Sequence, residues 1–458
     1  MSRFLFTCIV LLAACSAVSA QTYTILYTFG SNAGDPSNPE FRGTIAQSRG
    51  GAMVTTAGDE LNDGVGKAFR ISTAASLHVL HQFSGSSGGR PTGGLILARD
   101  GKFYGTTATG GTLGLGTIFT MSADGTVTTL HEFQGGSEGE NPTAAPIQSL
   151  KDDLYGTTAG QYNSTKYGSI YRITKDGNFT LLHAFSGSDG AYPQGPLVQG
   201  TDYNFYGVTW QGGTHNYGTI FRISPSGVFK VLVNFNKTNG QLPDSELIQA
   251  NDGNFYGVTW GGGTANAGVL YRLRLNGNFA VLHSFTRGSE GGNPIGLMQA
   301  SDGNLYGTAM SGGDQQEDGA IFSATLAGVV APLYQFTPAT GAYPYGALHQ
   351  QTNGILYGDT FSGGELGEGV IYRLDMGLRP FVTYLPVYGR TGAEVQILGQ
   401  DFTDTSQVFF NGTPAVFKEV YPTFIKATVP DGATTGPITV TTANGILTSD
   451  KVFIVRPN

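Results

Sequence analysis

The sequence predicts an all-β chain: a seven-bladed β-propeller closed by an N-terminal strand and followed by a small immunoglobulin-like β-sandwich. Three patterns predict it. A Leu-His-x-Phe phrase recurs about every fifty residues, at 80–83, 130–133, 182–185 and 282–285, with variants at 232–235 and 333–336. A seventh version, LYTF at 26–29, stands alone near the start, while the segment ending near Met376 lacks one. Beyond Met376 the period stops and shorter alternating runs take over.

Each repeat reads as four strands. In the unit 247–285, LIQA is a short apolar run and Asp252-Gly253 a tight-turn signal, because these residues tolerate positive φ. NFYGVTW (254–260) alternates as a strand does, GGGTANAG (261–268) is a loop, and VLYRLRL (269–275) is a third strand. Asn276-Gly277 turns the chain into NFAVLHSF (278–285). Four strands per fifty residues is the spacing of a propeller blade. The third-strand phrase occurs seven times, from AFRI at 68 to IYRL at 371. Tyr-Gly marks the second strand at Tyr104, Tyr155, Tyr206, Tyr256, Tyr306 and Tyr357, and the first repeat has Met53-Val54 instead. The piece missing from the last repeat stands at the front. Segment 22–29 is therefore expected to complete the final sheet and remove an open edge.

The turns between first and second, and third and fourth, strands are short. The second-to-third and fourth-to-first loops are long and variable, such as 210–218 and 186–195. Alternate turns of a meander fall on opposite rims, so all the long loops share one face, where function is expected to sit.

The tail, 379–458, has candidate strands at 395–398, 408–410, 415–417, 424–429, 438–442 and 452–455, with Asn411-Gly412 as a hairpin signal. Three of its motifs, GxxVxIxGxxF (392–402), VxFNGxxA (408–415) and VPxGAxxGxIxV (429–440), resemble those of an IPT/TIG domain. That resemblance implies a spacer or interaction module without catalytic residues. The repeats, over roughly Tyr23 to Met376, are similar to the GloVer tandem repeats of bacterial exported proteins, in the elements L-H-x-F, P-x-x-x-L, D-G-N-x-Y-G, G-G-T and G-x-I-[FY]-R. The resemblance implies export and a surface or secreted role, and brings no chemistry with it.

Residues 1–20 read as a secretory signal: Arg3, an apolar run over 4–14, and Val18-Ser19-Ala20 before Gln21. The alternative is a lipobox at 12–15 that leaves Cys15 lipidated. Cys8 and Cys15 are the two cysteines of the chain, so a chain starting at Gln21 would have no disulfide, thiolate metal site or cysteine nucleophile. The expected organisation is thus 1–20 signal, 21–378 propeller and 379–458 sandwich, in the cell envelope or secreted, with no membrane span after cleavage. Against 33 acidic residues stand 25 basic ones, which argues against nucleic acid as a partner. The sequence is silent on oligomeric state.

Residues shared by all repeats are explained by the repeat. His81, His131, His183 and His283 occupy one strand position and read as packing or hydrogen-bonding groups. Six first strands carry glutamine, at Gln47, Gln148, Gln199, Gln249, Gln299 and Gln350, read as amides bonding to backbone or channel water. Two GxSxG strings, from Gly85 and Gly135, lack the strand-to-helix elbow such a nucleophile needs.

Two blade-specific features remain. Four residues after the Tyr-Gly tyrosine, Ala57, Ala108 and Ala159 give way to Trp210, Trp260, Met310 and Phe361. An apolar arc of this kind stacks sugar rings or holds a peptide, or else packs under its own loops. Asp314, Glu317, Asp318, Glu365 and Glu368 crowd the loops of blades six and seven. They are surface charge, a Ca²⁺ site, or an acid–base pair. The favoured function is an exported binding or scaffold protein whose long-loop face recognises a glycan or protein. No cofactor is expected beyond that Ca²⁺, and the alternative is a secreted polysaccharide hydrolase or lyase using the loop carboxylates.

Overall fold

The computed structural model describes residues 21–36, 45–58, 65–313 and 317–456. Residues 1–20, with Cys8 and Cys15, and the loop residue Asp314 lie outside the described residues. Among the described residues seven four-stranded antiparallel sheets succeed one another, and two further sheets pack as a sandwich. The seventh sheet takes its outer strand from the front of the chain. Thr22–Thr28 pairs with Val370–Asp375, which closes the propeller. Tyr23 stacks on Tyr334 at 3.9 Å and donates its hydroxyl to Thr340 O at 2.6 Å. Phe29, fully buried, enters the cluster of Phe69, Ile71 and Tyr357 between the last and first blades.

The repeated motifs each have a mechanical reason. In six second strands the glycine of Tyr-Gly lies directly opposite the third-strand aromatic, as Gly257 does opposite Tyr271. A Cβ on Gly257 would come within 2.4 Å of the Tyr271 hydroxyl, so only glycine lets the ring lie flat across the strand. The motif tyrosine hydroxyl donates to the turn aspartate: Tyr104 to Asp100, Tyr206 to Asp202, Tyr256 to Asp252 and Tyr306 to Asp302, at 2.7–2.9 Å. The Asp-Gly turn and the Tyr-Gly strand are one hydrogen-bonded unit.

The first-strand glutamines couple neighbouring blades. Each side-chain oxygen accepts the backbone N–H of the preceding blade's first turn: Gln148 from Arg99, Gln199 from Leu150, Gln249 from Thr201, Gln299 from Asn251, Gln350 from Ser301 and Gln47 from Thr352. The histidines pack as their repetition implied. His183 stacks on Phe229 of the next blade at 3.8 Å with Nε2 3.0 Å from Asp189, and His131 stacks on Phe179 with Nε2 2.6 Å from Glu138.

The sandwich core joins Val395, Ile397, Ile425, Val440 and Phe453. Its expected strand at 415–417 instead starts at Phe417 and runs to Tyr421, because Thr413–Pro414 first folds back onto Gln407–Phe410. The sandwich docks on the short-turn rim. Gln396 donates to Arg99 O (2.6 Å), Gln400 to Thr352 Oγ1 (2.8 Å) and Thr423 to Arg49 O (2.6 Å), while Asn251 donates to Asp450 O (3.2 Å). Arg456 lies over Tyr203 of blade four and Tyr388 of the sandwich, at 4.4 and 3.7 Å.

Candidate functional site

The long loops form the opposite rim, and they are stitched together. In six of the fourth-to-first loops a non-glycine residue adopts φ between +52° and +58° immediately before a proline: Arg90, Asn141, Tyr192, Leu242, Asn293 and Tyr343. This conformation disfavours a side chain, and a following proline disfavours helical backbone besides. Hydrogen bonds hold it in place. Tyr192 N–H donates to Tyr167 O of blade three, and Tyr192 O accepts from Trp210 N of blade four. Leu242 joins Tyr217 to Trp260, and Tyr343 joins Asp318 to Phe361, in the same way. Each of these six loops is thus bonded to the blades on both sides, which holds its strained backbone in place.

The N–H that donates to the strained residue's carbonyl comes from the arc position. Ala108 and Ala159 are buried there, whereas Trp210, Trp260, Met310 and Phe361 are half-buried. Ala57, expected at the same position, pairs instead with Lys67, in the place that Thr107 and Thr209 take in their blades, because the first repeat's second strand is one residue out of step with the sequence alignment. The four do not share one environment. Trp210 meets Tyr162 at 5.3 Å with planes 50° apart, and Tyr162 meets Tyr192 at 5.6 Å. Tyr162 is 53% exposed. Phe361 meets the edge of Tyr345 at 5.6 Å. The Trp260 carbonyl accepts from Asn293 Nδ2 at 2.7 Å, so that loop is fixed by an amide.

The carboxylates are dispersed in character. Glu317 and Glu365 are exposed, Glu317 with its Oε2 3.9 Å from Arg287 Nη1, while Asp318 is buried and Glu368 half-buried beside Gly30. Among the described residues no three His, Cys, Asp or Glu side chains converge as a metal cage.

Sequence reasoning missed three ionisable groups that occur singly. Burial raises Glu246 to about 7 against the lowering pull of Lys451, and burial raises Asp359 to about 7. Burial also lowers His349 to about 4, and its Nε2 has no hydrogen-bond partner. Their signal was present in the sequence. The Glu246 position is Gly94, Ala145, Pro196, Gly296 and Ala347 in other blades, and the His349 position is Ile96, Ile147, Val198, Ile248 and Met298.

Comparison with known proteins agrees with this architecture. Residues 38–252 and 243–413 match the Gloeobacter/Verrucomicrobia repeat, and residues 381–454 match the IPT/TIG domain. The chain belongs to the Gloeobacter/Verrucomicrobia repeat family and ends in an IPT/TIG domain. No curated protein matches it in sequence. Similar solved structures include a fungal alcohol oxidase of the AA5 family in complex with copper, at 13% identity over 92% of this chain and 98% of that one, TM-score 0.50. Another is the extracellular domain of a candidate hybrid two-component system from B. thetaiotaomicron, at 10% identity over 94% of this chain and 59% of that one, TM-score 0.51. At these identities the likeness is one of fold. Among the described residues no helix is long and apolar enough to cross a membrane.

Proposed function

We propose that this repeat protein is an exported, non-catalytic binding protein whose long-loop face recognises a glycan. The observation that carries the reading is an asymmetry between the two rims. The sandwich contacts the short turns of blades one, two, four, five and seven. Among the described residues the long-loop rim carries no such domain contact, is tied together by its stitches, and concentrates half-buried aromatic and apolar side chains at Trp210, Trp260, Met310 and Phe361. Rigid aromatic rings at the edge of a preorganised scaffold bind flat, partly apolar ligands with little ordering cost. The leader-like residues 1–20 support export.

A pull-down of the chain on insoluble polysaccharides, beside Trp210→Ala and Trp260→Ala, tests the reading. Retention by the wild-type chain and reduced retention by at least one variant is expected. Equal retention of all three removes the aromatic arc from recognition. Turnover of a polysaccharide that disappears in Glu365→Gln or Glu317→Gln would replace a binding protein with an enzyme.

A further inference from the structure

The four arc residues are not equivalent, and Trp210 lies beside an exposed tyrosine ring, Tyr162. We infer that the primary contact on the long-loop face is a neutral-pyranose subsite built by Tyr162 and Trp210, with Tyr192 as its floor. The inference rests on the glycan reading above and assigns it a place and a ligand class.

Exposure selects this place. Tyr162 and Trp210 are 5.3 Å apart at 50°, and Tyr162 and Tyr192 are 5.6 Å apart at 59°. Rings tilted in this way do not cover each other's faces. A large apolar ring that is 53% exposed, and whose neighbour is a half-buried tryptophan, leaves aromatic surface turned to solvent. At Phe361 the neighbouring ring, Tyr345, is met edge-on, at 87°.

The loop that carries Tyr162 is held in shape. Tyr192 is 5% exposed, and its hydroxyl donates to Ser164 O at 3.2 Å, tying the blade-three loop to the next blade. Ser164 donates back to Gln161 O at 2.6 Å, and Gln161 N–H to Lys166 O at 3.0 Å, so the residues flanking Tyr162 are closed on themselves. Tyr192 takes its strained backbone, φ +58°, where glycine would be the undemanding residue, and so places an aromatic ring under the loop.

Charge selects the ligand class. Lys166, on the same loop, is answered by Glu140 at 2.8 Å, and Glu140 is 6% exposed. Neither group is left to meet a charged ligand. A chain of net charge −8 repels anionic polysaccharide besides. What remains is an apolar, tilted pair of rings beside paired polar groups, which suits the C–H face of a neutral sugar ring.

Titration of the full chain with soluble mixed-linkage β-glucan and soluble starch, followed by tryptophan emission and by calorimetry, tests this, with alginate as the anionic probe. Trp210 and Trp260 are the two tryptophans of the chain, so emission reports the arc directly. A saturable response to at least one neutral glucan is expected. Tyr162→Ala should weaken it roughly tenfold, as loss of an aromatic anchor does, and Tyr162→Phe, which keeps the ring, should restore it to within about threefold. Wild-type binding that Tyr162→Ala leaves unchanged overturns the subsite and leaves the glycan reading standing. Alginate bound more tightly than either glucan overturns the neutral class. A wild-type chain that binds none of the three overturns both.

Discussion

Gln396→Ala should loosen the propeller and the sandwich together. Six of the seven blade joints are bridged by a first-strand glutamine, but the joint between blades one and two has Leu97 in that position. There the bridge comes from elsewhere. Arg49 Nη2 reaches across to Arg99 O at 2.8 Å and to Gln396 Oε1 of the sandwich at 2.7 Å, and Gln396 Nε2 donates to the same Arg99 carbonyl at 2.6 Å. The Arg49 guanidinium also lies 4.6 Å over Phe424. Gln396→Ala removes one charge-assisted bond of about 1.5–3 kcal/mol and one neutral bond of about 0.5–1.5 kcal/mol, so the loss is about 2–4.5 kcal/mol. The assay is urea unfolding with two probes. Tryptophan emission reads the propeller alone, since both tryptophans lie there, and far-ultraviolet circular dichroism reads both domains. In the wild-type chain the two transitions should coincide, and in Gln396→Ala the tryptophan transition should move to lower urea and separate from the other. A two-domain chain need not unfold in one step, so the shift of midpoint is the quantity to read. A double-mutant cycle with Arg49→Ala should give a coupling above about 1 kcal/mol. A midpoint unmoved by Gln396→Ala, with no coupling to Arg49, would refute the idea that the sandwich completes this joint.

Three further outcomes follow from the same structure. Gly257→Ala, which pushes a methyl into the Tyr271 ring, should cost about 1–3 kcal/mol in chemical denaturation, while Gly277→Ala, which has open space around its Cβ and differs only in its φ of +91°, should cost less. Phe29→Ala should cost about 3–5 kcal/mol, because a fully buried ring at the closure of the propeller is lost; an effect below about 1 kcal/mol would mean that the N-terminal strand is dispensable. Burial raises the folded-state pKa of Glu246 to about 7, above its unfolded value, so the stability tied to its proton is complete below about pH 4.5 and is lost as the pH rises through 7. Glu246→Gln should therefore raise Tm at pH 8 more than at pH 5, and an equal shift at both would contradict that titration.

Much of the fold was legible because a propeller repeats each instruction. The Tyr-Gly phrase, the third-strand aromatic and the Asp-Gly turn recur together because a ring must cross a glycine and a hydroxyl must reach a turn carboxylate. Even the split last blade could be read, since the phrase at 26–29 had no upstream strands of its own. The site was legible only in part. Trp210 stood out as a departure from Ala159, but Tyr162 lies in a loop of irregular length where no repeat sets a register. The strained residues before proline were equally hidden. Arg90, Asn141, Tyr192, Leu242, Asn293 and Tyr343 have no composition in common, because what repeats there is a backbone conformation set by bonds to two neighbouring blades.

Departures from the repeat fall into two groups once the domain contacts are known. Gln351 stands where other blades have serine, alanine or glycine, and it lies beside the docked sandwich: it bonds across to the Gly51 carbonyl, next to Arg49 and Thr352, which accept from Thr423 and Gln400 of the sandwich. Gln351 and Thr352 are each 1% exposed. The singularity of Gln351 is accounted for by docking. Tyr162 and the large ring of Trp210 also depart from the first blades, yet they lie on the rim away from the sandwich, and an exposed tyrosine contributes little to folding that a smaller polar residue would not. A repeat that keeps alanine at the equivalent positions 108 and 159 shows that the blade itself does not require a large ring there. What the scaffold does not need and the sandwich does not touch is what a ligand would use, and that reasoning singles out the ring pair Tyr162 and Trp210 between blades three and four.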